Sequence, residues 1–245
     1  MAAFGNRVLD EISSLLPEGL ESVRLRSGIF RRGDVLGEPG TRLETIYFPV
    51  SALISAVIQT DSGDGIGGVM IGNDGVFGGA TAFGLETPVF SSLVERAGTC
   101  WVMSVSDLRR IVRENYEAAA LLFRYQHYLV AQAQQIAACS TRHNVQERFC
   151  TYLLRVRDER DEVRFTQEDV AHALGVQRTS ISLVAGGLQN EGIIRYRRGQ
   201  IKIKDSNRLR ACACECHSAI EKFKLALFDC APAIVMHDQP AVVEG

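Results

Sequence analysis

The sequence predicts an α+β chain: an antiparallel, jelly-roll-like β-roll first, one long helix next, and a small helical domain closed by a β-hairpin last. Three observations carry this. Strand-length apolar runs broken by glycine fill residues 22 to 106, apolar residues recur at heptad spacing from Ala118 to Cys139, and two short helical patterns meet at Gly175 just before a stretch that alternates isoleucine with cations.

The chain has 245 residues, near the upper limit for a single hydrophobic core, so more than one domain is expected. The boundaries read as 1–112 for the roll with flanking helices, 113–141 for a dimerisation helix, 142–228 for the helical domain and 229–245 for a tail without readable pattern. Apolar residues make up 46% and charged residues 23%, and no apolar run approaches the roughly 18 residues that would span a bilayer. The N-terminal stretch MAAFGNRVLDEISSLLPEGL has helical spacing and lacks the basic and apolar regions of a signal peptide, so a cytoplasmic protein is expected. Seven cysteines, an odd number with none before Cys100, point to reduced thiols and not to a disulfide framework.

Within the first region the strands read as VRLRSGIF, TIYFPVSALISAVIQ, GGVMIG, FSSLVERAG and TCWVMSV, with turns at RRGD, GEPG, DSGDGIGG and GNDG. The glycine density between positions 63 and 84 suits tight corners that need positive φ. The period then changes. Ala118, Leu122, Tyr125, Leu129, Gln132, Ile136 and Cys139 follow one another at alternating steps of four and three, the seam of a helix packing on a parallel copy of itself. The alternative is a helix that lays this stripe on its own domain.

After a break at STRHN and a second helix, VQERFCTYLLRVRDE, a further helix starts at Thr166, whose hydroxyl can cap it with Asp169 three residues on. Gly175 ends that helix. The next one runs to about Asn190, with Ile181, Val184 and Leu188 as its buried stripe and Arg178, Thr179 and Ser182 on the opposite face of its first turns. Two helices joined by a short glycine-containing turn, the second offering polar side chains at its start, form a helix-turn-helix, whose second helix enters the major groove of DNA. An arginine fork matches guanine O6 and N7, and serine or threonine hydroxyls suit either base edge.

The hairpin EGIIRYRRGQIKIK puts Ile194, Tyr196, Ile201 and Ile203 on one face and Arg195, Arg197, Lys202 and Lys204 on the other, with Arg198 at its turn. As a wing it would set Arg197 and Arg198 against phosphate. Charge agrees. The whole chain carries −2, yet residues 164–210 hold 9 basic side chains against 4 acidic ones, while residues 1–112 hold 9 against 13. A polyanion is attracted by a positive face, not by a positive whole, so double-stranded DNA is the partner expected for the C-terminal segment.

The run TQEDVAHALGVQRTSISLVAGGLQNEGII with its wing resembles the C-terminal domain of the Crp/Fnr transcription regulators. RRGDVLGEPG, IYFPVSALIS and GNDGVFGG resemble their cyclic-nucleotide-binding-type roll, and the resemblance extends from about residue 20 to 215. It implies a homodimer on a near-palindromic operator, contact with RNA polymerase, a small-molecule effector at the roll, and base reading by Gln177, Arg178, Thr179 and Ser182. A cation used for base reading by cyclic-AMP-responsive members falls on Leu183 here, so a different sequence should be recognised. The effector positions fall on Gly78, Gly79 and Ser91, where the glutamate and arginine that would hold the ribose and phosphate are missing. This argues against cyclic AMP.

No cofactor is expected. The N-terminal cysteines that hold an iron–sulfur cluster in oxygen-sensing relatives are absent, and a lone His127 is more simply structural than a haem ligand. In CACECH, residues 212–217, a continuous helix would put Cys212 and Cys216 on one face and Cys214 and His217 on another, so these four could not converge on a metal. An enzyme is not expected either, since no nucleophile elbow, zinc-protease helix or Walker sequence occurs.

Overall fold

The computed structural model describes residues 4–59, 65–197 and 199–229; Arg198, Cys230 and the tail expected beyond 229 lie outside them. A first helix, α1 (Arg7–Leu15), is capped by the Asn6 side chain. Seven strands follow: β1 (Arg26–Phe30), β2 (Val35–Gly37), β3 (Thr45–Pro49), β4 (Leu53–Gln59), β5 (Gly65–Ile71), β6 (Ser91–Arg96) and β7 (Gly98–Ser104). They form two antiparallel sheets, β1-β7-β3 and β2-β6-β4-β5.

The run TIYFPVSALISAVIQ, read as one strand, is two. It breaks at Val50–Ala52, where the chain leaves one sheet for the other and three successive N–H groups point at the Thr99 carbonyl. Gly98 sits opposite this corner, and a side chain there would collide with the Ser51–Ala52 backbone. Leu36, Leu43, Ile54, Ile71, Phe77 and Val94 fill the roll, joined by Phe30 and Tyr47, whose rings meet edge-on at 5.5 Å.

Two helices leave the roll, α2 (Val105–Glu114) and α3 (Tyr116–Arg142). Asn115 separates them. Its side chain accepts from the Ala118 N–H and donates to the Leu15 carbonyl, which aims the 27-residue helix across the roll. The C-terminal part consists of α4 (Val145–Val156), β8 (Glu162–Val163), α5 (Gln167–Leu174), α6 (Arg178–Asn190), β9 (Ile194–Arg197), β10 (Gln200–Ile203), α7 (Ser206–Cys212) and α8 (Cys216–Asp229). Its core gathers Phe149, Leu153, Phe165, Val170, Ile181, Leu188, Ile194, Ile201 and Leu209. The hairpin is a three-stranded sheet, β8-β10-β9, because the charged lead-in to Thr166 supplies β8. Among the described residues no helix is long and apolar enough to cross a membrane.

The seam expected to face a second copy is turned inward. Leu122, Tyr125, Gln132 and Cys139 are buried in the protomer, and Leu129 and Ile136 are half-buried. Leu122 and Tyr125 join the core shared with α1 and α2, while Gln132 accepts from the Met70 N–H of β5 at 2.7 Å and from Arg155 of α4 at 2.5 Å. The physical reason is that a helix crossing a roll must bury its most apolar stripe against that roll first. Among the described residues a second stripe is left free. Tyr116, Phe123 and Val130, seven residues apart, are 81%, 70% and 53% exposed, and Ala120, His127, Gln134 and Ala137 continue the four-three spacing between and beyond them.

Candidate nucleic-acid interface

The interface candidate starts with the local chemistry that sets α5 and α6. Thr166 caps α5 through the Asp169 N–H, and Asp169 returns the favour to the Thr166 N–H at 2.6 Å, a complete capping box. At the other end Gly175 takes φ 61°, a left-handed conformation a side chain would strain, and its N–H closes on the last carbonyls of α5. Arg148 of α4 donates to the Leu174 carbonyl, so that helix end is also held by a charge. The chain then turns through Val176 and Gln177 into α6.

Ile181, Ala185 and Leu188 are buried on the inner side of α6. Arg178, Thr179 and Ser182 are exposed on its outer side, and Gln177, at the cap, is exposed as well. The four side chains expected to read bases therefore share one accessible face. Arg178 is loosely held by Glu168, 3.6 Å away and itself half exposed, an ion pair too wet to hold the guanidinium back. The Ser182 hydroxyl donates to Gln167 Oε1 at 2.6 Å, so α5 positions it.

Leu183 lies on the same face as Thr179, one turn on, and is 79% exposed. It marks the departure from a cation already noted in the sequence, and among the described residues its apolar surface is left uncovered. Gly186 and Gly187 are exposed, with no atom within 4 Å of where a side chain would start, so close backbone packing does not account for them.

The wing carries its cations outward. Ile194, Ile201 and Ile203 are buried while Arg195, Arg197 and Lys204 are exposed. Lys202 is partly committed, donating to the Arg160 carbonyl with Glu162 at 3.5 Å. The Gln189 side chain accepts from the Tyr196 N–H at 2.7 Å and so joins the wing to α6. Arg198 lies outside the described residues.

The roll reaches this domain at α5 and at the end of α4, where Arg96 donates to the Val156 and Arg157 carbonyls. Arg32 pairs with Asp169 at 2.8 Å and lies over the Phe165 ring at 5.0 Å. Burial alone would raise the Asp169 pKa, but Arg32 and the Thr166 N–H and hydroxyl outweigh it and hold it below the ordinary value. The pair is therefore intact at neutral pH and is lost only as acid protonates Asp169.

The positions expected to meet an effector lie in the 3₁₀ turn after β5 and at the start of β6. Gly78, at φ 89°, and Gly79 open a 3₁₀ turn (Gly79–Phe83) that lies against α3, with Gln126 Nε2 3.4 Å and Leu122 Cδ2 3.7 Å from where a Gly79 side chain would begin. Ser91 is buried at the start of β6. The polar cavity that does join both halves lies elsewhere, where the roll, α3, α4 and α8 meet, and includes Arg96, Arg155, Arg157, Arg210 and Lys224 facing Asp74 and Glu221. Sequence spacing could not bring these together.

Comparison with known proteins agrees with this geometry. Residues 147–212 match the family model of the Crp-like helix-turn-helix domain. No curated protein sequence matches the chain. Among solved structures, the chain is similar to FixK2 from Bradyrhizobium japonicum, with 16% identity, 78% of this chain and 98% of that chain covered, and a TM-score of 0.67. It is similar to CLP from Xanthomonas campestris, described as a c-di-GMP-responsive global regulator, with 15% identity, 75% and 95% coverage and a TM-score of 0.59. A CooA variant from Carboxydothermus hydrogenoformans is similar at 13% identity, 86% and 97% coverage and a TM-score of 0.58. Residues 147–212 are thus a Crp-like helix-turn-helix domain, and the chain is a DNA-binding transcription regulator with the Crp/Fnr fold.

Proposed function

We propose that the protein acts as a homodimer that reads a near-palindromic operator through the first turns of α6, with the wing along the phosphate backbone. The observation that carries this is the exposed face of Arg178, Thr179, Ser182 and Leu183, rigidly backed by Ile181, Ala185 and Leu188. Arg178 supplies a fork for guanine, the hydroxyls suit either base edge, and Leu183 offers an apolar surface to a thymine methyl. The free stripe of α3 is the surface on which the second copy docks. Two copies so joined would hold their recognition helices about 34 Å apart, one turn of B-DNA.

Arg178→Ala is expected to cost about 1–3 kcal/mol of operator affinity and to relax preference at one base pair per half-site. Binding-site selection with the variant checks this, and unchanged affinity and preference would remove Arg178 from the reading set. Arg197→Ala should instead weaken all sequences alike and flatten the dependence of log K on log salt by about 1 per wing. Binding titrations across a salt series read that slope, and an unchanged slope would place the wing off the backbone.

An effector is favoured by the cationic cavity between the roll and the C-terminal helices, whose walls belong to both halves of the chain. An anion of the cyclic-dinucleotide class would bridge those walls, whereas the roll interior is filled by aromatic and aliphatic side chains. Thermal shift against cyclic AMP and c-di-GMP tests it, since a ligand at 100 times its Kd adds about 2.7 kcal/mol. A rise with c-di-GMP alone is the expected result, and no shift with either would favour a regulator controlled by its own abundance.

A further inference from the structure

Cys139, His143, Cys214 and Cys216 come from two places in the sequence and meet at one point, their ligand atoms all within 4.8 Å of one another. Two helix ends bring this about. Cys139 lies in the last turn of α3, and His143, four residues on, is the residue that terminates that helix in an extended conformation. On the other side the chain does not continue as one helix through CACECH. It leaves α7 at Ala213, φ −82° and ψ 152°, and re-enters helix at Cys216. That break is what the assumption of a continuous helix missed. It frees Cys214 and Cys216 to point the same way, leaves Cys212 and His217 outside the cluster, and makes the partners Cys139 and His143 instead.

We infer that these four side chains form a tetrahedral Cys₃His site for a single divalent metal of the zinc class. The distances fit one ion. Bond lengths of about 2.3 Å to sulfur and about 2.0–2.1 Å to nitrogen give tetrahedral edges of about 3.8 Å between sulfurs and about 3.5 Å between sulfur and nitrogen. Cys139 Sγ and Cys214 Sγ are 3.6 Å apart, and Cys216 Sγ and His143 Nδ1 are 3.6 Å apart. An iron–sulfur cluster spreads its ligands over two or more irons and so over a wider span than this.

The surroundings are those of a built site. Glu215 Oε2 lies 3.1 Å from His143 Nε2, so the carboxylate holds the proton on Nε2 and leaves the Nδ1 lone pair facing the sulfurs, the arrangement by which a second residue orients a metal-bound histidine. Gln135 Nε2 donates to Cys216 Sγ at 3.0 Å, and the Thr151 hydroxyl lies 3.1 Å from Cys214 Sγ, so both sulfurs have donors suited to a thiolate. The three cysteines are buried, which keeps the centre from water.

On binding, a divalent ion displaces up to three thiol protons to solvent, and no oxidant or reductant is required. The consequence is mechanical. The ion would tie the α3–α4 joint, at His143, to the start of α8, which itself packs along α3, and so fix the DNA-binding domain to the long helix. Cys214 and Cys216 fall just beyond residues 147–212, so the site lies outside the matched helix-turn-helix domain.

The test uses the full-length chain, purified under reducing conditions. Elemental analysis is expected to find one zinc per protomer, and cobalt titration of the metal-stripped protein should give thiolate-to-cobalt charge transfer with the visible bands of tetrahedral Co²⁺. Cys216→Ser should abolish those bands while Cys212→Ser keeps them. Glu215→Gln should weaken the metal roughly 10- to 100-fold in chelator competition. If Cys216→Ser does not fold, the wild-type cobalt spectrum and Glu215→Gln still decide. No stoichiometric metal and no tetrahedral cobalt spectrum, an iron–sulfur spectrum, bands that survive in Cys216→Ser, or a Cys139–Cys214 disulfide as the only modification would each overturn the site.

Discussion

Replacing Phe123 and Val130 together by glutamate is expected to give a folded monomer that no longer holds its operator. Both side chains project from the free face of α3 and contribute little to the protomer core, so the fold should keep its melting temperature. At a two-fold contact each would be buried against the other copy. A buried phenylalanine or valine is worth about 1.5–3 kcal/mol, and glutamates there would add like charges without partners. Losing the second half-site removes the gain of divalent binding, roughly 10²- to 10⁴-fold in affinity. Sedimentation and operator titration read the two effects. A variant that remains dimeric would move the contact to another surface.

Gln132→Leu probes the opposite face of the same helix. The Gln132 side chain accepts from Arg155 at 2.5 Å and from the Met70 N–H at 2.7 Å, joining α3, α4 and β5. Arg155 is half-buried among the surrounding helices, lines the polar cavity, and makes no ion pair among the described residues. Leucine would strand both donors, one of them charged, at a cost of about 3 kcal/mol. For a chain of this length that lowers the melting temperature by roughly 10 °C. Gln132→Glu keeps the oxygen that accepts from both donors and adds a charge for Arg155, losing only the long Nε2 donation to the Met70 carbonyl at 3.4 Å, so it should melt close to the wild type. Had Gln132 faced a second copy, leucine would instead strengthen the dimer. Calorimetry of the two variants separates these outcomes.

The contrast between those two faces shows where sequence pattern stops being informative. The capping box at Thr166, the left-handed Gly175 and the alternating isoleucines of the wing are consequences of neighbours a few residues away, so the helix-turn-helix was readable. On α3, two stripes fit a four-three repeat equally well and differ by two residues, just over half a turn. Which one lies on the roll depends on contacts tens of residues distant. The polar Gln132 in the middle of the inward stripe and the phenylalanine at 123 in the outward one were the available hints.

The cysteine cluster was hidden for a related reason. ACACECH contains neither glycine nor proline to announce a break, and its metal-ligand partners, Cys139 and His143, lie some seventy residues earlier. The break at 213–215 comes from tertiary packing, with α7 held on α4 and α8 turned back along α3. Likewise, the polar cavity draws Arg96 from the roll and Arg210 from α7. Neither had a local signal.

Selection of binding sites from random duplexes by the full-length protein tests the central claim most directly. Two inverted copies of one short motif should be enriched, their centres one helical turn, about 10–10.5 base pairs, apart. Enrichment of an isolated half-site, of direct repeats, or of no sequence at all would contradict a dimer that reads DNA with the exposed face of α6.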